Sequence, residues 1–347
     1  LKSSPGPGHW HSQWQTGGWR WHTAFLACLL AVLLGGESWA VFWRADWPTG
    51  DPQWRTEFDG LMTNVGKVNN AFTGSFGSAF LLHERWVLTV EHVVDDDEED
   101  LVSPTDLTVL LPNYGGTFSV DEVHSHSSGD IALLKLATTP TDWIDAPLND
   151  VNDEINKVLE VGGYGHYGPA GDDQGVGSYH RAQNRVDTIT GTDLRYDFDA
   201  PGSGAIAREG ISDNGDSGGP VLLKTVGDQW VLGALTRAGS GENPVDYGKR
   251  SWAIKISSFI PWIQGLVPGA LLRSTIESAA AGDLNFDSSI DHLDVELLLD
   301  AHGKSVPEVV DNYDLFDDAV INATPLTATS DLDALVHGVL ATDYGDA

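Results

Sequence analysis

Asp213-Asn214-Gly215-Asp216-Ser217-Gly218-Gly219-Pro220 decides the reading of this chain. A serine set among glycines on a tight turn projects its hydroxyl into a cleft. The same turn aims the backbone N–H groups of Gly215 and Ser217 at one point in front of that hydroxyl, where they stabilise charge developing on an acyl oxygen. Serine alone is a poor nucleophile, so this reading needs an imidazole base and a carboxylate to orient it. Both stand upstream: His92 closes Thr89-Val90-Glu91-His92 after an apolar run, and Asp130 opens Gly129-Asp130-Ile131-Ala132-Leu133-Leu134 before another. A glycine turn, a surface histidine and a turn aspartate taken separately account poorly for three such motifs in this order.

The three motifs, ordered His, Asp, Ser between about Phe58 and Leu266, resemble those of the trypsin-like serine proteases, with GDSGGP the most specific. The resemblance implies an all-β fold of two Greek-key β-barrels with the active site between them. It implies His92 as general base and acid, Asp130 as its orienting carboxylate, Ser217 as nucleophile, and Gly215 and Ser217 as the oxyanion donors. It further implies that Thr236 donates its hydroxyl to Asp130 and that Ile211 stands at the base of the specificity pocket, favouring an apolar or small substrate side chain. A shift in loop register would put Asp213 there instead. The substrate would be a protein or peptide, and the chemistry needs no cofactor.

Three departures from that family stand out. Cys28 is the only cysteine, so no intrachain disulfide can form. No Ile-Val-Gly-Gly-like segment follows a basic residue to supply the amino terminus that neutralises Asp216 in the family. Glu91 replaces the usual small residue beside the histidine. The alternative reading is a catalytically silent, protease-like binding or scaffold protein, whose usual mark is a missing triad residue.

Composition bounds the rest. Net charge is −32, which makes nucleic acid an improbable partner. Ala24 to Leu34 is apolar but shorter than the ~20 residues that span a bilayer, and Ser38-Trp39-Ala40 places small residues where a signal peptidase reads. Residues 1–40 are therefore expected to be a signal peptide, with a short membrane anchor as the alternative, giving a secreted product without a membrane segment. Residues 41–56, rich in Trp, Pro and Asp, are expected to be irregular. The protease unit is expected over 57–269, because short apolar runs recur between turn signals at 78–82, 86–89, 107–111, 131–136, 158–162, 220–223 and 230–235.

From 270 to 347 apolar residues take helical spacing between acid-rich loops, which predicts a small α-helical unit. Asp283, Asn285, Asp287, Ser289 (through its carbonyl), Asp291 and Asp294 occupy positions 1, 3, 5, 7, 9 and 12 of a calcium loop. This EF-hand-like segment resembles a dockerin type I repeat, which implies structural Ca²⁺ and a cohesin-bearing partner. Tyr313 to Asn322 begins like a weaker second copy. The acidic run Asp95–Asp100 reads as a calcium site, as an attractor of cationic substrates or, more simply, as a solvated loop.

Overall fold

A computed structural model describes residues 41–47, 53–96, 100–225, 229–239 and 244–278. The first barrel is built from β2 (Val65–Asn70), β3 (Ser75–His83), β4 (Trp86–Thr89), β5 (Leu107–Leu111), β6 (Gly116–His126) and β7 (Gly129–Leu136). They close in the order β2-β3-β4-β7-β6-β5, all neighbours antiparallel. Every residue of Ala79–Leu82 is fully buried, as are Ile131–Leu134, so these strands read as continuous apolar runs rather than as alternation.

The second, barrel-like unit contains β8 (Val158–Gly163), β9 (His166–Pro169), β10 (Gly175–Val176), β11 (His180–Arg185), β12 (Thr188–Thr190), β13 (Asp193–Asp197), β14 (Gly210–Ile211), β15 (Pro220–Lys224), β16 (Trp230–Ala238) and β17 (Arg250–Lys255). Seven of them form one sheet in the order β11-β8-β15-β16-β17-β13-β12. One core cluster centres on the first barrel and reaches Tyr164, Leu222 and Leu235 of the second. The other fills the second unit around Val161, Tyr196, Phe198 and Val221. A short helix, Ile260–Leu266, follows the last strand and buries Ile263.

The expectation for the amino-terminal segment is corrected. Residues 41–56 are not irregular throughout. Val41–Trp43 forms β1, which runs parallel to β9 with Val41 opposite Tyr167 and antiparallel to β14 with Phe42 opposite Ile211. Trp43, Trp47, Trp54 and Tyr167 then bury one another in a small aromatic cluster. The reason was invisible in periodicity: three residues between two partner strands suffice when all three are buried. At the other end, Arg273–Ser278 is a helix held against the preceding residues. Arg273 N–H donates to Leu148 O (2.9 Å) and its guanidinium pairs with Asp153 (2.8 Å). The expected calcium loop over 283–294, its expected weaker copy and the expected signal peptide lie outside the described residues. Among the described residues no helix is long and apolar enough to cross a membrane.

Arg181, on β11, fastens the amino-terminal segment to the second unit. Its guanidinium is buried, bonds both oxygens of Asp59, pairs with Glu160 at 3.0 Å, and its Nε donates to Trp54 O at 2.8 Å. It also lies 4.1 Å over the Trp54 ring. Burial pushes Glu160 up to about 6 even though the Arg181 charge pulls it down. Removing one partner of a buried pair costs roughly 3–5 kcal/mol because the other charge is left uncompensated. Arg181→Ala is expected to lose about that much at pH 8, and clearly less at pH 5, where Glu160 takes up a proton. Urea unfolding at the two pH values measures this, and an equal loss at both contradicts it.

Candidate active site

The site assembles where the ends of β4, β7 and the turn before β15 meet. Thr89 pairs with Ala132, which brings the residues after β4 beside the start of β7. A single 3₁₀ turn, Glu91–Val93, then lifts His92 out of the barrel wall. His92 Nδ1 lies 2.9 Å from Asp130 Oδ2 and 3.1 Å from Oδ1, and the His92 backbone N–H donates to Oδ1 at 3.1 Å. His92 Nε2 lies 2.8 Å from Ser217 Oγ. A carboxylate on Nδ1 makes that nitrogen the donor and leaves Nε2 free to accept the serine proton. Burial pushes the Asp130 carboxyl up, but the His92 hydrogen bonds and charge, with a smaller contribution from Arg237, outweigh it and hold it below the usual range.

The nucleophile turn is pinned from both barrels. Ser78 of β3 donates its N–H to Ser217 O (2.7 Å) and its hydroxyl to Gly215 O (3.0 Å), while that hydroxyl accepts from Tyr164 N–H (2.9 Å). From the second unit, Gly218 N–H donates to Thr236 O, and Thr236 N–H donates to Gly219 O, both at 2.8 Å. The carbonyls that share peptide planes with the Gly215 and Ser217 amides are those of Asn214 and Asp216; they accept from His166 N–H (2.9 Å) and Gly219 N–H (2.8 Å), which turns the two amides the other way. Among the described residues neither amide is given to a backbone carbonyl. Gly215 has φ 91°, and a Cβ there would come within 2.8 Å of Gly165 Cα. Gly218 has φ 84°, and a Cβ there would collide with Ser78 O and Thr89 Oγ1. Those two glycines are demanded by conformation and by close approach together.

Asp216 faces inward, away from Ser217. It is wholly buried, and its two oxygens accept from Gly165 N–H and Asp213 N–H, each at 2.8 Å. Burial without a cation pushes it up to about 8.

His92, Asp130, Ser217 and Gly215 are thus brought together as the sequence led us to expect. Two other expectations are corrected. Thr236 does not bond Asp130: its side chain is buried on the Tyr196 side, and its contribution is the backbone clasp on the serine turn. Ile211 does not line a substrate pocket. Its side chain has no exposed surface and packs in the core of the second unit, because β14 is sandwiched against β1. Ser78 was missed by sequence reasoning, since a serine inside an apolar strand carries no signal until its partners are known. Arg237 was missed as well; it follows Thr236 and shares with Glu91, His92 and Asp130 the wall of a cleft of about 550 Å³. At the two ends of the acidic run Asp96 N–H donates to Asp100 O, and no group of three metal-ligating side chains occurs among the described residues.

No curated protein matches the chain. The family model described as Trypsin matches residues 61–263, more than half of the chain and the span that holds His92, Asp130 and Ser217. A matching family model and a serine–imidazole–carboxylate relay with hydrogen-bonded geometry lead to one conclusion: the chain belongs to the trypsin family and is a serine endopeptidase, a hydrolase.

Proposed function

We propose that this endopeptidase is secreted and cleaves peptide bonds through Ser217, His92 and Asp130. The observation that carries this reading is the unbroken hydrogen-bonded series Ser217 Oγ, His92 Nε2, His92 Nδ1 and Asp130. Ser217 attacks the peptide carbonyl as His92 takes its proton. The oxyanion forms against the amides of Gly215 and Ser217. His92 then protonates the leaving amine, and after water enters, it takes a proton from that water so that the acyl-enzyme is hydrolysed. Asp130 stays ionised and stabilises the imidazolium. The intact relay weighs against a silent binding protein.

Secretion by cleavage after Ala40 would also supply activation. The product would begin at Val41, which is wholly buried and has φ 71°, a conformation hostile to a β-branched residue. That φ exists only while a peptide bond precedes Val41. Its partner in β9 is Tyr167, two residues from Gly165, which donates to Asp216. The freed ammonium is therefore proposed to neutralise Asp216, and leader removal is itself the activating cut.

The carboxy-terminal loop is proposed to bind one Ca²⁺ through the hard oxygens of Asp283, Asn285, Asp287, Ser289, Asp291 and Asp294, and to dock a cohesin-bearing partner. It takes no part in the peptide-bond chemistry.

Three outcomes follow. Ser217→Ala and His92→Ala each lower kcat/KM on a peptide substrate by at least ~10³-fold, with thermal unfolding little changed; activity retained in either contradicts the triad. Asp216, raised in the uncut chain, favours the folded state below about pH 4, and that advantage is lost as pH rises through about 8. A chain carrying one extra residue before Val41 should therefore lose Tm more steeply between pH 4 and 8 than one beginning at Val41. Parallel curves count against the activation reading. Calcium titration of the secreted chain should find one site that Asp283→Ala removes; an unaltered titration rejects the loop.

A further inference from the structure

We infer that Lys67 is a specificity-determining residue whose ammonium receives a carboxylate, a Glu or Asp side chain, of the peptide substrate lying across the Gly215 side of Ser217. This rests on the endopeptidase reading above and names a substrate feature that Ser217, His92 and Asp130 leave open.

Lys67 stands on the sheet face against which the nucleophile turn rests. In the β2–β3 ladder it is directly opposite Ser78, and directly opposed side chains share a face. Phe76, two residues before Ser78, shares that face too. From it the Ser78 hydroxyl donates to Gly215 O at 3.0 Å. Phe76 meets the same glycine: a Cβ on Gly215 would lie 3.1 Å from its ring. Lys67 Nζ sits 4.0 Å from the centre of the Phe76 ring, and a Cβ on Gly177 would lie 3.5 Å from that nitrogen. These short steps set the ammonium on the order of 10 Å from the acyl oxygen that the Gly215 amide would hold, a distance an extended peptide covers in about three residues.

No counter-charge meets that ammonium. Among the described residues Lys67 Nζ forms no ion pair and no hydrogen bond, and burial pushes its pKa below the usual lysine value. In a chain of net charge −32 this is an exception. Lys135, Lys157 and Lys255 each meet a carboxylate, at 2.6, 2.7 and 3.4 Å. The acids of the adjoining turns are engaged elsewhere. Asp216 accepts from Gly165 and Asp213 N–H, while Asp173 accepts from Gly175 N–H and lies 3.1 Å from His166 Nδ1. The Phe76 face attracts the cation but brings neither a full negative charge nor a strong acceptor. A carboxylate brings both, and hydrogen bonds between ionised groups are the stronger kind. Apolar side chains stand nearby in the chain: Phe72, 63% exposed, lies in the turn joining β2 to β3, and Val176, 38% exposed, precedes Gly177. Both leave apolar area for the rest of the peptide to cover.

The test digests a denatured protein with the purified enzyme, maps a cleavage site by mass spectrometry, and builds internally quenched peptides on that site. Glu, Gln or Lys replaces each of the three residues on either side of the bond in turn. The expected result is a position where Glu gives a kcat/KM about fivefold or more above Gln, with Lys the poorest. Raising the salt should shrink that advantage. Lys67→Met should bring the Glu-to-Gln ratio at that position to about one, and Lys67→Glu should make Lys the better residue there. Glu no better than Gln at every position overturns the inference and leaves the endopeptidase reading intact, as does an unchanged ratio in a folded Lys67→Met. Should both variants fail to fold, the wild-type ranking and its salt dependence decide the matter alone. Absence of any cleavage of the denatured protein brings down the endopeptidase reading and this inference with it.

Discussion

The active site depends on one constraint: the turn carrying Ser217 belongs to both barrels at once. Ser78 holds it from the first barrel through two carbonyls of the turn, and Thr236 and Gly165 hold it from the second. Each bond is individually modest, roughly 0.5–1.5 kcal/mol net. Together they fix the turn that carries Ser217, while the Gly215 and Ser217 amides are given to no backbone carbonyl among the described residues. His92 and Asp130 come from the first barrel alone, so the relay closes only when the two barrels are in register.

That arrangement explains why a chain with a single cysteine can hold a serine protease site. The work of cross-links falls to buried polar contacts, of which the Arg181, Asp59 and Glu160 group is the clearest. It also explains why Asp216 is central without touching substrate. A carboxylate at the centre of the turn organises two amides, those of Gly165 and Asp213.

Much of this was legible in the residues. The runs 86–89 and 107–111 match their strands residue for residue, since both are apolar-rich runs: the first is buried from Val87 on, and the second buries Leu107, Val109 and Leu111. The hydrogen-bonded series of Ser217, His92 and Asp130 was legible for a different reason: each member sits at an element boundary flagged by glycine or an apolar run. What escaped was polar on its face. His180-Arg181-Ala182-Gln183-Asn184-Arg185 looks like loop, yet it is β11, with Arg181 and Asn184 buried because distant carboxylates and carbonyls satisfy them. Gly116–His126 is an eleven-residue strand with half-exposed side chains and so lacks an apolar run. Ile211 misled because counting positions along a turn says nothing about which way a side chain faces, and β1, unforeseen, turned it into the core. Thr236 misled similarly, its backbone mattering where its hydroxyl was expected to.

The most direct measurement of the central claim is the site of covalent modification by a phosphonylating probe, mapped by tandem mass spectrometry on the purified protein. The account predicts a single adduct on Ser217 that disappears in His92→Ala, since the hydroxyl reacts only when the imidazole 2.8 Å away accepts its proton. An adduct elsewhere, or undiminished modification of Ser217 without His92, would contradict it.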